Sequence, residues 1–345
     1  MCENGRLELH QDVDLKDHST MRVGGPARHF AKARSVADVE LAYRWAASTD
    51  TPVCTIGSGS NIVWADEGYS GLVLQNVIRG FQVVPKQQDT VELKIGAGEV
   101  LDDIIERSIQ LGLTGLECLS LLPGTCGGAV IQNSGAYGME VSQVLQHVEV
   151  YDTHEHRPVT LMRDCCGLGY RTSRFKRDEP GRYVILGLTV RLRRGSPTSV
   201  SHTSLLAVLK RDTAPTSADI RSAVITIRRT KLPDPSVVPN CGSFFKNPVI
   251  SNDTTIATLH GAQAPLYELG VGRYKVPAAW LIEHCGLKNH ADLRLGYGTW
   301  PGQPLVLFAT RLSSCNNLLK YSAMIEQAVK ARFGIMLERE PVLME

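Results

Sequence analysis

A single small hydroxyl, Ser243, stands in the run Asn-Cys-Gly-Ser-Phe-Phe-Lys-Asn-Pro at 240–248, among groups able to hold it rigidly. Gly242 lets the backbone approach a ligand, Phe244 and Phe245 exclude water, and Lys246 and Asn247 offer donors to an anion. An alcohol is a poor acid in water, yet a carbanion or enolate developing within hydrogen-bond reach of it in a dry site can take its proton. The run therefore marks Ser243 as a candidate proton donor. The same residue types also suit a plain turn between strands, so other segments must decide.

Two glycine-rich segments lie upstream. With Ser35 as N-cap, the pattern Val36, Val39, Leu41, Ala42, Trp45 and Ala46 has helical period, and 53–56 reads as a buried strand. The loop Gly57-Ser58-Gly59-Ser60-Asn61 follows, and 71–75 returns as a strand. Small residues there expose successive backbone N–H groups, the geometry of an anion nest able to cradle a pyrophosphate. The loop is not GxGxxG opening a helix, which disfavours the dinucleotide fold with that fingerprint and leaves a plain turn as the alternative. Strand-like 91–95 leads to an amphipathic helix over 101–111. The second segment, 123–138, carries Pro123, Gly124, Gly127, Gly128, Ile131, Gln132, Asn133, Gly135, Ala136, Tyr137 and Gly138. A long structureless stretch inside a compact domain points to cofactor contact, with a flexible surface loop as the alternative.

Strands at 148–151 and 183–192 flank 167–176, where Tyr170 adjoins Arg171. A guanidinium offers a carboxylate a planar fork, although an exposed arginine is an ordinary surface residue. A helix over 217–228 leads into Lys231-Leu-Pro-Asp-Pro, a proline-interrupted linker that marks a domain boundary. Beyond it come Tyr267, then Lys275 before a short helix at 278–285 closed by Gly286, and a strand at 305–310. An amphipathic helix over 316–333 stops at Gly334, and Glu340 follows near the end. No internal repeat is evident.

The 345 residues are 43% hydrophobic and 21% charged, which predicts a soluble globular enzyme of two or three domains. A net charge of +2 provides no basic field for nucleic acid or a membrane surface. No apolar run is long enough to span a membrane and residues 1–10 are polar, so a cytosolic protein is expected. The nine cysteines (Cys2, Cys54, Cys118, Cys126, Cys165, Cys166, Cys241, Cys285 and Cys315) lack CxxC spacing and read as reduced thiols without structural zinc. His154 and His156 fall in a polar turn, not in a metal pattern.

Taken in order, the loop 57–61, the run 123–138, Gly169-Tyr170-Arg171, Lys231-Leu-Pro-Asp-Pro, the Gly-Ser-Phe-Phe-Lys-Asn-Pro run, Lys275 with Ala279-Trp280-Leu281-Ile282, and Glu340 resemble one family. It is the UDP-N-acetylenolpyruvoylglucosamine reductases, FAD enzymes that make UDP-N-acetylmuramate for bacterial peptidoglycan, and the likeness runs from about His18 to Val342. The Tyr170 segment and Tyr267 resemble the longer of two subtypes, whose insertion closes a tyrosine over the substrate. The resemblance implies an α+β protein. A p-cresol methylhydroxylase-type FAD-binding fold would occupy subdomains 1–76 and 77–231, and an α+β substrate domain 232–335, with the tail 336–345 expected to return to the first subdomain. It implies non-covalent FAD, NADPH as electron donor, UDP-N-acetylglucosamine enolpyruvate as substrate, and a monomer. Flavin N5 would give hydride to C3, and C2 would be protonated.

By the same resemblance Ser243 donates that proton, while Arg171 and Glu340 polarise the carboxylate and stabilise or relay charge. Tyr170 lines the pocket, and Lys231, Asn247, Tyr267, Lys275 and Gln303 match positions for the nucleotide, its phosphates or the nicotinamide cofactor. Three residues depart from the family pattern: Val130 and Arg339 where proline is common, and the bulky Trp64 after the first loop. Val130 is expected to alter the loop under the flavin, and Arg339 to shift Glu340 or pair with it. His18 and His29 are not expected to attach the cofactor. Another flavin oxidoreductase on the same scaffold, or a catalytically silent nucleotide-sugar binder, stays open at this point.

Overall fold

The computed structural model describes residues 7–86, 89–195, 197, 200–209, 214–311 and 313–345, so Cys2 lies outside the described residues. The chain divides into two compact units. The first comprises Met1–Val13, Ala27–Ser58 and Ser70–Arg228; the second comprises Asp14–Pro26, Gly59–Tyr69 and Arg229–Glu345.

In the first unit the helix Val36–Ser48 forms where its period and cap predict: Ser35 Oγ accepts from Asp38 N while the Asp38 carboxylate accepts from Ser35 N, a capping box. It lies on a four-stranded sheet ordered His10–Asp14, Pro26–Ala33, Tyr69–Asn76, Val53–Ile56, in which the last two strands pair in parallel. Val39, Ala42, Leu72 and Leu74 share one fully buried core there. A six-stranded sheet follows, ordered Arg157–Met162, Leu145–Asp152, Tyr183–Arg194, Thr90–Gly96, Phe81–Pro85, with Leu113–Thr114 added beside Tyr183–Arg194. The helix Leu101–Gln110 covers it, burying Leu101, Ile104 and Ile105. Residues 153–156, with both histidines, form the turn between the first two strands.

Asp152 closes that turn from inside. It is 2% exposed, accepts from the N–H groups of His154 and Glu155, and takes the Arg182 guanidinium at 2.8 Å. The Arg182 hydrogen bonds hold its carboxyl down at about 2. A pKa depressed below the unfolded value means that the unfolded chain binds more protons, so this stabilisation is complete above about 4 and is lost as pH falls through about 2. We therefore expect the melting temperature of the wild type to fall more steeply between those limits than that of Asp152→Asn, measured by thermal scans across pH. Parallel curves would refute the assignment.

The second unit is built on a four-stranded sheet ordered Asn240–Ser243, Gln303–Ala309, Tyr297–Trp300, Ala291–Asp292. A smaller sheet is ordered Val249–Ile250, Arg273–Lys275, Tyr267–Gly270, and Ile62–Trp64 pairs in parallel with the tail strand Val342–Met344. The long helix Cys315–Phe333 buries Leu318, Tyr321, Ile325 and Val329, and ends at Gly334 with φ 70, as a C-terminal glycine in the left-handed region does. Both Asp66 carboxylate oxygens cap its start, accepting from Cys315 N at 2.7 Å and Asn316 N at 2.9 Å.

Several sequence expectations are corrected. The helix expected over 217–228 runs Ser217–Lys231, so Lys231 is helical rather than part of a linker. Its stop is Leu232, where the following Pro233 disfavours helical backbone. The run 123–138 is not structureless: it contains the helix Cys126–Ile131 and a hairpin pairing Gly135–Ala136 with Met139–Glu140. Phe244 and Phe245 are each 1% exposed and belong to the second unit's core, where their rings meet edge to face at 5.3 Å. Trp64 is fully buried, and its bulk is accommodated because Gly24 lies against it; a Cβ on Gly24 would stand 2.3 Å from Trp64 Cβ. Among the described residues no helix is long and apolar enough to cross a membrane. The eight described cysteines are free thiols.

Candidate active site

In the first unit the two glycine-rich segments touch. A Cβ on Gly57 would stand 2.5 Å from Thr125 Oγ1, the hydroxyl that caps the helix Cys126–Ile131 by accepting from Gly128 N. Gly127 packs on Ala97, where an added Cβ would stand 2.9 Å from Ala97 Cβ, whereas one on Gly128 would meet only Thr125 Oγ1 at 3.4 Å. Glycine at 57 and 127 is thus required by the protein's own packing, and Gly128 leaves space. The hairpin turns on Tyr137 and Gly138 with φ 51 and 87, the two positive values of a type I′ turn. Gly124 also has positive φ, at 128°. Val130 is fully buried in the short helix, within the core of the second sheet.

Four hydrogen bonds lace 167–176 to this run. Ser173 Oγ donates to Ile131 O at 2.7 Å, Lys176 Nζ to Gln132 Oε1 at 2.7 Å, Asn133 Nδ2 to Gly169 O at 2.9 Å, and Arg171 Nη2 to Gly135 O at 2.6 Å. Arg171 has φ 53, and its guanidinium lies 5.4 Å from the centre of the half-exposed Tyr170 ring. The structure therefore unites Tyr170 and Arg171 with Ala136 and its neighbours on one surface. Asn133 is 1% exposed and its amide serves Gly169 O, Glu140 and Ser142 N, which makes it a scaffold of the loop.

In the second unit a β-bulge presents Ser243. Asn240 pairs with Phe308 and Ser243 with Val306, so the strand carries one extra residue, and Gly242 absorbs it at φ 73. Nothing lies within 4 Å of where a Gly242 Cβ would be, which leaves open space beside the hydroxyl. Asn240, 3% exposed, holds the bend by accepting from Gly242 N at 2.9 Å and donating to Val238 O at 2.8 Å. Phe244 N donates to Leu305 O at 2.8 Å on the other side of Ser243.

The tail brings Glu340 to the same place. Glu340 N donates to Phe244 O at 2.9 Å, and burial first, then the Glu340 charge, pushes the Cys241 thiol up to about 12. Asn61 Nδ2 reaches Glu340 O at 3.5 Å and Asn61 O accepts from Val342 N at 3.0 Å, so the end of the first glycine loop, Glu340 and the Ser243 strand are joined within one unit. Arg339 Nε donates to Glu326 Oε1 at 2.8 Å.

Five residues expected at the nucleotide form two groups. Asn247 Oδ1 accepts from Ala278 N at 2.9 Å, and Lys275 is the cross-strand partner of both Val249 and the exposed Tyr267. Lys231 lies against Gly302, where an added Cβ would stand 2.5 Å from Lys231 O, and so beside Gln303.

Two residues escaped the sequence reading. Thr20 N donates to Gly59 O at 3.1 Å and its Oγ1 is buried with no hydrogen-bond partner. That orphaned hydroxyl, with Ser60 and the backbone of a loop free of carboxylate side chains, fits the anionic diphosphate of a dinucleotide such as FAD. Gly59 itself, at φ 73, faces His18 O. Arg228 is a second: partly buried beside the Tyr137 hydroxyl, its affinity for a proton is lowered by desolvation, and its buried Nε has no partner. Its signal was only an arginine in the last helical turn. Among the described residues no group of three or more His, Cys, Asp or Glu could hold a metal ion.

Residues 27–156 match the FAD binding domain family and residues 234–344 the UDP-N-acetylenolpyruvoylglucosamine reductase C-terminal domain family. The chain is 34% identical to the UDP-N-acetylenolpyruvoylglucosamine reductase of Chromobacterium violaceum, covering 98% of this chain and 99% of that one. It is 38% identical to that of Ralstonia nicotianae over 97% and 99%, and 36% identical to that of Pseudomonas aeruginosa over 98% and 99%. The crystal structure of the Thermus caldophilus reductase shares the fold, with a TM-score of 0.68 over 99% of both chains at 21% identity.

Proposed function

This chain belongs to the UDP-N-acetylenolpyruvoylglucosamine reductase family, and from that membership we propose how its residues divide the work of the reaction. The enzyme is an FAD-dependent reductase of the enolpyruvyl group of UDP-N-acetylglucosamine enolpyruvate, a step of peptidoglycan precursor synthesis. Bound FAD supplies a two-electron carrier between NADPH and the substrate. The proposal assigns FAD subdomains to 1–76 and 77–231 and the nucleotide sugar to 232–335, in a monomer of the bacterial cytosol.

The residues supporting FAD are Thr20, Ser58 to Asn61 and the backbone of 123–138. Arg171, held by Gly135 O beside Tyr170, stabilises the substrate carboxylate, where charge develops once C3 has gained hydride. Ser243 donates its proton to C2 and is held for that by the bulge behind it. Glu340 relays or stabilises charge at the same carboxylate, and Lys231, Asn247, Tyr267, Lys275 and Gln303 contact the nucleotide portion. The observation that carries this reading is the convergence of Ser243, Glu340 and Asn61 through the tail.

An anaerobic titration tests it. NADPH should bleach the yellow holoenzyme and the enolpyruvyl nucleotide should restore the flavin absorbance; a bleached flavin that the nucleotide leaves reduced and that reoxidises only when oxygen is then admitted would instead favour an oxidase.

A further inference from the structure

The tail that carries Glu340 is held from both of its faces. Residues 338–340 run antiparallel to 244–246: Lys246 N donates to Glu338 O at 2.9 Å, Glu340 N to Phe244 O at 2.9 Å, and Phe245 pairs directly with Arg339. Side chains alternate along an extended segment, so Glu338 and Glu340 share one face and Arg339 projects from the other. On the first face the Lys246 ammonium pairs with the Glu338 carboxylate. On the second, Arg339 Nε meets Glu326 Oε1 at 2.8 Å, on the helix Cys315–Phe333 whose start is fixed by Asp66. Two residues past Glu340 the chain enters its parallel pairing with Ile62–Trp64.

A slip of one residue in such a pairing turns every side chain to the opposite face. Here it would remove the Glu340 carboxylate from the side of Phe244 and deliver the Arg339 guanidinium in its place. A proline at 339 would stiffen the segment through its fixed φ. Arginine has no such stiffness, so the constraint at 339 comes from its side chain.

We propose that the Arg339–Glu326 ion pair is a positioning device for the reaction, locking the register of 338–340 so that Glu340 presents its carboxylate to the reacting centre. This rests on the assignment of Glu340 to the substrate half-reaction. At 36% and 20% side-chain exposure the pair is only partly shielded, so its loss should shift the register without unfolding the unit.

The test uses the holoenzyme in its two half-reactions. Arg339→Gln and Glu326→Gln, the latter leaving the tail's own sequence intact, should each slow flavin reoxidation by the enolpyruvyl nucleotide about three- to fivefold. Flavin reduction by NADPH and substrate affinity should not change, and the reversed pair Arg339→Glu with Glu326→Arg should recover the rate. In a Glu340→Gln background Arg339→Gln should add nothing. Equal slowing of both half-reactions, or the same added factor in that background, overturns the proposal. Glu340→Gln reoxidised as fast as wild type would instead remove the assignment beneath it, and the two failures are told apart by that one variant.

Discussion

Replacing Ser243 with alanine will leave flavin reduction by NADPH intact and slow reoxidation by the enolpyruvyl nucleotide by about 10²–10⁴-fold, the contribution of a positioned general acid. The split follows from where the proton is needed. Hydride transfer from NADPH to the flavin consumes no proton from the protein at C2, whereas quenching the enolate does. Alanine keeps the backbone that matters: the bulge depends on Gly242 at φ 73 and on Asn240, and the flanking hydrogen bond comes from Phe244 N. The variant should therefore melt with the wild type and bind substrate normally, and stopped-flow absorbance of the flavin reads each half-reaction separately. Equal loss in both would show that Ser243 supports the cofactor, and full activity in both would remove it from the chemistry. Serine to cysteine is the informative companion, since a thiol donates but is larger than the hydroxyl the bulge presents.

What the sequence made legible was local. The Ser35 capping box, the strands at 53–56 and 183–192 and the glycine after Phe333 all follow from short-range pattern, and the structure has them. What it hid depends on partners far along the chain. Gly242 was read as an approach for a ligand, yet its positive φ exists because one strand carries an extra residue against Gln303–Ala309. Phe244 and Phe245 exclude water as members of the second unit's core, whose other residues come from distant parts of the chain. Tyr137 and Gly138 read as part of an irregular loop, but antiparallel pairing across them makes a hairpin turn. The Asn133 amide serves Gly169, Glu140 and Ser142 in neighbouring loops, which no short-range pattern shows. The partner that Arg339 Nε meets, Glu326, lies thirteen positions back in sequence on another element, out of reach of short-range pattern.

Gly59→Ala should yield protein largely free of flavin. The glycine sits at φ 73, where a side chain costs about 1–2 kcal/mol. A Cβ there would also stand 2.0 Å from His18 O, a backbone atom that no rotamer change can move aside. Overpacking of that kind costs about 1–3 kcal/mol more, so the two together take a large share of a domain's typical 5–15 kcal/mol. The loop must shift, and with it the hydrogen bond from Thr20 N to Gly59 O that holds the orphaned Thr20 hydroxyl in place. The ratio of flavin to protein absorbance after gel filtration should drop, and added FAD should raise the melting temperature of the variant by mass action, at concentrations well above those the wild type needs. Gly128→Ala separates packing from ligand approach. Its Cβ meets only Thr125 Oγ1 at 3.4 Å and it lies in the helix Cys126–Ile131, where alanine is favoured over glycine by about 1 kcal/mol. Without flavin this variant should be as stable as the wild type, so weakened FAD binding in it would be due to the cofactor passing close to residue 128. If Gly59→Ala retains its full yellow colour, the first glycine loop does not carry the diphosphate, and Thr20 must have another purpose.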